Sequence, residues 1–168
     1  IGTGAFSGCV NLQSVVIPNT VTSINYNAFR NCNNLTSVNI PSSVTSIGDN
    51  AFLACGSLSY VNIAEPSSVT SIGSSAFSSC NNLGTITLPN SVNNIGDAAF
   101  KGCTSLKYGP SKLHVDYIGN LGCQSMFEGC TALEKAPEII FNNINDNDTE
   151  LQEYACQNMF KGCTALKN

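Results

Sequence analysis

The sequence predicts a repeat solenoid, mostly β, with about 23 residues per coil and a short helical or 3₁₀ turn in each. Three columns carry that expectation, because a fixed period in this range marks stacked structural repeats. Phenylalanine recurs as Phe6, Phe29, Phe52, Phe77, Phe100, Phe127 and Phe160, at steps of 23, 23, 25, 23, 27 and 33 residues. Three residues after each comes a cysteine: Cys9, Cys32, Cys55, Cys80, Cys103, Cys130 and Cys163. Three further on comes a leucine: Leu12, Leu35, Leu58, Leu83, Leu106, Leu133 and Leu166. Three columns in one phase cannot be chance.

Written from Leu12, one unit reads Leu12-x-x-Val15-x-Ile17-Pro18-x-x-Val21-x-x-Ile24-x-x-x-Ala28-Phe29-x-x-Cys32. Its Leu-x-x-Val-x-Ile start alternates apolar and polar residues, as a strand with one buried face does. The following proline (Pro18, Pro41, Pro66, Pro89, Pro110, Pro137) fixes φ and withholds a donor, so it closes the strand and turns the chain. Val21-Thr22-Ser23-Ile24 and its copies form a second short extended piece. Gly48, Gly73 and Gly96 mark the bend after it. Ala-Phe-x-x-Cys-x-x-Leu then has i, i+3, i+6 apolar spacing, which suits a single helical or 3₁₀ turn. The apolar side chains of one coil do not cover the entropy of ordering its backbone. Burial shared between coils must do so, and the chain folds only as a stack.

Across 168 residues, 42% are hydrophobic and only 11% charged, against the usual quarter, so Ser, Thr and Asn must cover the surface. Net charge is −4, and the seven basic residues are scattered. Phosphate-backbone binding requires a basic stripe, so nucleic acid is not an expected partner. No run approaches the length of a transmembrane helix. Ile1 takes the repeat position of Ile24 and Ile47, and Lys167-Asn168 follow Leu166 directly. The expectation is a fragment of a longer protein that forms one solenoid over 1–168, regular over 1–108 and with longer, irregular coils over 109–168.

Seven of the nine cysteines lie in the repeat column. Neighbours in that column stand roughly 5 Å apart along the stack. That distance admits a bridge, but in-register side chains lack its dihedral, so buried thiols acting as small hydrophobes are the simpler reading. Cys123 and Cys156 each lie four residues before a column Phe and are the best placed for a disulfide. Neither they nor the column offer Cys-x-x-Cys spacing for zinc.

From residue 109 the pattern loosens. Gly109 and Ala136 replace the strand Val, Met126 and Met159 replace the Ala before Phe, and Lys112–Leu121 and Glu138–Tyr154 carry extra residues expected to form protruding loops. Ser43-Val-Thr-Ser-Ile-Gly-Asp-Asn-Ala-Phe-Leu-Ala-Cys-Gly-Ser-Leu58 and its copies resemble the BspA-like leucine-rich repeats, as does the variant unit over 123–137. One departure is that the usual post-strand Asn is replaced by Thr20, Ser43 and Ser91, so hydroxyls must satisfy the turn. The resemblance implies a cell-surface or secreted protein, bacterial or from a mucosal protozoan, often an adhesin that meets host matrix proteins or other microbes.

Catalytic constellations are not evident. His114, the only histidine, has no triad partner beside it and reads as a surface or loop residue. Asp146-Asn147-Asp148-Thr149-Glu150 resembles part of a calcium loop but lacks its turn Gly and its closing bidentate Glu, so it reads as a solvated acidic loop. No metal site and no cofactor are expected.

The outward strand positions remain: Ser14, Ser37, Tyr60, Thr85 and Tyr108 in one column, and Val16, Asn39, Asn62, Thr87 and Pro110 in the next. Two tyrosines amid short polar residues give a neutral, hydrogen-bonding face with aromatic anchors, suited to a protein or glycan. The same composition also keeps an exposed sheet face soluble. The expected role is a non-enzymatic repeat module, extracellular or on the cell surface, that binds a host or microbial surface protein. The alternatives are a structural spacer presenting a neighbouring domain, and a glycan-binding module.

Overall fold

The alternating strand motif, the proline turn and the second short strand all form, and successive coils stack in parallel. A computed structural model describes residues 1–115, 123–141 and 156–167. Strand β1 is Ser23–Ile24, β2 Ser37–Ile40, β3 Ser46–Ile47, β4 Tyr60–Ile63, β5 Ser71–Ile72, β6 Asn94–Ile95, β7 Lys112–Val115 and β8 Glu138–Phe141. The short post-proline strands make one parallel sheet in the order β1-β3-β5-β6, with Ile24, Ile47, Ile72 and Ile95 aligned. The main strands β2 and β4 pair with Val38 opposite Val61 and Ile40 opposite Ile63. Strands β7 and β8 form a third parallel pair in the longer coils.

The interior follows the columns. From Phe29 to Phe127 the phenylalanines are fully buried, as are the leucines from Leu35 to Leu133. All seven rings stack with centroids 5.0–5.7 Å apart and planes within 12° of parallel. Met126 and Met159 are buried where the regular units place Ala.

The cysteine column does more than fill space. Each thiol from the second coil onward donates to the carbonyl of the preceding coil's phenylalanine: Cys55 Sγ to Phe29 O at 3.1 Å, Cys103 to Phe77 at 3.1 Å, Cys163 to Phe127 at 3.0 Å. All nine cysteines are free thiols, including Cys123 and Cys156, the pair best placed for a disulfide. Cys9 is exposed, which departs from the uniformly inward column, and of the two extra cysteines Cys123 is buried and Cys156 exposed. Both extra cysteines occupy the position of Gly48, Gly73 and Gly96, four residues before Phe.

The expected helical or 3₁₀ turn is the element that differs. Alternate residues bond within the turn and between coils. Ala28 N–H donates to Asn25 O and Arg30 N–H to Asn27 O, each at 3.1 Å. The residues between reach the next coil: Asn27 N–H to Asp49 O, Phe29 N–H to Ala51 O, Asn31 N–H to Leu53 O, at 2.7–3.0 Å. The run is thus a chain of overlapping β-turns fused into an inter-coil ladder. Residues two before and two after each Phe take positive φ, as at Asn27 (56°), Asn31 (59°), Asn50 (55°) and Ala54 (58°). The i, i+3, i+6 apolar spacing satisfies this geometry as well as a helical turn, so spacing alone did not separate them.

Gly48, Gly73 and Gly96 do lie at the bend, and the reason is close approach. A Cβ on Gly48 would stand 2.9 Å from Asn25 C and Tyr26 N, and on Gly73 or Gly96 it would overlap the backbone of Asp49 or Ser74. Hydroxyls satisfy the proline turn as expected. Ser43 Oγ donates to Val21 O and Ser91 Oγ to Val69 O, both at 2.7 Å, tying each turn to the coil before it.

Candidate binding face

Because side chains alternate along a strand, the residues between the buried Val and Ile positions must face solvent. Ser14, Tyr60, Thr85, Tyr108, Asn39, Asn62 and Thr87 are exposed, and Ser37 is half-buried. Ser14 bridges Ser37, Ser37 pairs with Tyr60, and Asn39 pairs with Asn62. Thr85 bridges Tyr108, and Tyr108 bridges Lys135. Tyr60 and Tyr108 keep 52% and 53% of their surface, and Val16 keeps 91%. Pro110 departs from its expected outward column and is buried, two residues before β7.

The face is not one continuous ladder. Down the column that follows Leu, backbone bonds join Thr36 to Gln13 and Ser59 to Thr36, then Lys107 to Gly84, Glu134 to Lys107 and Lys167 to Glu134. The link from Gly84 to Ser59 is missing, and β4 pairs with β2 alone. The interruption falls in the coil that carries the two extra residues Ala64-Glu65. A pocket of about 230 Å³ lies there, lined by Tyr60, Asn62, Glu65, Thr85, Thr87 and Pro89 among others.

The apparent scatter of basic residues disappears in the stack. Lys101, Glu128 and Lys161 each follow a column Phe, and the carboxylate lies 2.8 Å from Lys101 and 3.8 Å from Lys161. Lys107, Glu134 and Lys167 each follow a column Leu, with Glu134 3.1 Å from Lys107 and 2.8 Å from Lys167. Lys112 pairs with Glu138 at 3.5 Å. The hydrogen bond from Lys101, then that from Ser125, holds Glu128 below the usual carboxylate range. The bonds from Lys167 and Lys107 do the same for Glu134, whose carboxylate in turn raises Lys107. Lys107 also lies 5.3 Å from the Tyr108 ring centroid, so this face carries a cation over one of its two tyrosines. These charges were present in the aligned columns, one residue after Phe and one after Leu.

Burial pushes the column thiols up, Cys55 and Cys130 to about 12 and Cys80 well above its ordinary value, so at neutral pH they are neutral donors and not nucleophiles. His114 lies half-buried within β7 opposite Ile140, in a strand where a loop was expected. The acidic stretch 146–150 and Asp116 lie outside the described residues. Among the described residues no three His, Cys, Asp or Glu side chains are placed to hold a metal ion. No helix among them is long and apolar enough to cross a membrane.

Comparison with known proteins places this geometry. The chain is similar to a leucine-rich repeat protein from Bacteroides ovatus, with 36% identity and a TM-score of 0.68 over 83% of this chain. It spans 34% of that protein's length. It is also similar to the Treponema pallidum leucine-rich repeat protein, with 26% identity and a TM-score of 0.55 over 93% of this chain and 78% of that one. The pneumococcal vaccine antigen PcpA shares the fold, at 21% identity and a TM-score of 0.53 over 68% of this chain and 33% of that one. Comparison with curated proteins gives no match. Six copies of the BspA type leucine rich repeat region match residues 1–134, and the chain belongs to that family.

Proposed function

We propose that the chain is a non-enzymatic repeat module, extracellular or at a bacterial cell surface, that binds a host or microbial protein along its main-strand face. The single observation behind this is the column Ser14, Ser37, Tyr60, Thr85, Tyr108, exposed except at the half-buried Ser37 and paired in parallel in two runs, Ser14–Ser37–Tyr60 and Thr85–Tyr108. A rigid backbone holds two half-exposed tyrosines among hydroxyls and amides, so contact area comes at low entropy cost. Asn39, Asn62 and Thr87 add hydrogen-bonding groups beside them. Solenoids offer extended surfaces of this kind, and membership of the BspA-type family supports the surface location.

The test is a surface-plasmon-resonance screen against matrix proteins and a glycan array. The expected outcome is saturable binding to a protein, weakened about tenfold or more when Tyr60 and Tyr108 both become Ala, with the melting temperature unchanged. Binding that survives the double substitution removes the face from consideration. No saturable binding to any ligand, with full tolerance of strand-face substitutions, supports the structural spacer instead. A hit confined to glycans replaces the protein partner.

A further inference from the structure

The two exposed tyrosines of the strand face have different surroundings. At Tyr108 the cation is built in: Lys107 lies 5.3 Å from the ring centroid and 3.1 Å from the Glu134 carboxylate. At Tyr60 the equivalent of Lys107 is Ser59, one residue after the column Leu, and its hydroxyl is turned to Thr36 O at 3.1 Å. A carboxylate is nevertheless present, because the inserted Glu65 lines the same pocket as Tyr60. One Glu65 oxygen accepts from Ser67 N–H at 3.0 Å. Among the described residues no cation pairs with Glu65. The ladder also breaks at this coil, and a space of about 230 Å³ lies there, lined by both Tyr60 and Thr85.

We infer that the Tyr60–Glu65 pocket accepts a basic side chain of a protein partner, a guanidinium or an ammonium, completing the aromatic–cation–carboxylate arrangement that Lys107 completes at Tyr108. Tyr60 supplies the ring face, Glu65 the counter-charge, and Asn62, Thr85 and Thr87 supply oxygens for the remaining N–H donors. An arginine suits the site best, since its planar fork stacks on an aromatic ring while donating sideways to a carboxylate. The chain's net charge of −4 favours approach of such a partner. The inference rests on the strand-face reading above and names the anchor within it.

The probe is N-acetyl-arginine amide, titrated into the ¹⁵N-labelled chain, beside the N-acetyl-citrulline amide that keeps the shape and removes the charge. Saturable shifts are expected at the amides of Tyr60, Asn62, Thr85 and Thr87. The citrulline compound should bind about tenfold more weakly, and Glu65→Gln and Tyr60→Ala should each weaken the arginine compound by a similar factor. Glu65 is exposed, so its Gln variant should fold with an unchanged melting curve. Equal binding of the two compounds, shifts centred elsewhere, or a methyl glycoside bound in place of arginine amide would each overturn the inference. Failure here with Tyr60 and Tyr108 still required for the macromolecular partner sinks only the pocket. Arginine binding here with both tyrosines dispensable for that partner sinks only the strand-face reading.

Discussion

The coils up to Gly84 and those after it share an interior and differ in what runs along their surface. In the first region the column after Leu reads Gln13, Thr36, Ser59, Gly84, and its hydroxyls donate to the coil before: Thr36 Oγ1 to Gln13 O at 3.2 Å, Ser59 Oγ to Thr36 O at 3.1 Å. In the second the same column reads Lys107, Glu134, Lys167, and its coils are joined by ion pairs. Six of the seven basic residues follow residue 100, and every ion pair among the described residues lies there. A hydroxyl ladder is indifferent to which coil comes next, because any carbonyl serves as acceptor. An alternation of Lys, Glu and Lys is not, because a slip by one coil would set like charges side by side. Exposed ion pairs add little net stability, so the second region gains register more than strength. Its coils have the longer, less regular spacers, at steps of 27 and 33 residues, where register is least constrained by length.

The strongest way to break this comparison is to attack what the regions are held to share. Phe77→Ala and Phe127→Ala each remove a fully buried ring with a stacked neighbour on both sides. Each should cost about 3–5 kcal/mol by urea denaturation, with one transition in both variants. A much smaller cost at Phe127, or a second transition, would mean that the two regions are separate cooperative units.

The thiols give the next largest effect. Burial raises Cys55 and Cys130, one in each region, from 9.0 to about 12. The unfolded chain's thiols ionise first, so the stability they contribute is full below about pH 9 and is lost as pH rises towards 12. Each protected thiol should cost about 1.4 kcal/mol per pH unit across that window. At neutral pH a disulfide-exchange reagent should label Cys9 and Cys156, both exposed, and leave the inner column untouched until the chain unfolds. Rapid native labelling of Cys130 but not Cys80 would break the equivalence of the two interiors.

Charge gives the smallest effect and sharpens the difference most. Glu134→Lys would place three ammonium groups in one column, whereas Ser59→Lys sets one between Thr36 and Gly84. The first should lower the melting temperature by about 2–4 °C more than the second at low salt, and the gap should close in about 1 M salt. Since Lys167 and Lys107 depress Glu134, its contribution is present above the ordinary carboxylate range and fades as pH falls through it. Equal shifts that ignore salt would leave the register argument without support.

Much of this is legible in the chain itself, because the legible parts follow from residue order and spacing, which are fixed covalently. Phe, Cys and Leu at fixed offsets fix which side chains face inward, and the Val-x-Ile alternation fixes the strands Ser37–Ile40 and Tyr60–Ile63 and their outward columns. What the chain alone left open depended on the distance between coils. Whether Ala28-Phe29-x-x-Cys32 winds as a helical turn or as linked β-turns is decided by Asp49, Ala51 and Leu53, whose carbonyls take the N–H groups a helix would keep. The cysteine column reads as hydrophobic until the Phe carbonyl of the previous coil is seen within reach of each thiol. Lys107 and Glu134 are 27 residues apart in the chain and 3.1 Å apart in the stack, and the break beside Tyr60 exists only as a bond that Gly84 does not make. Sequence spacing sets what each coil points inward. Hydrogen bonds and charges act over a few ångströms, so only the stacking of coils decides which groups are close enough to use them.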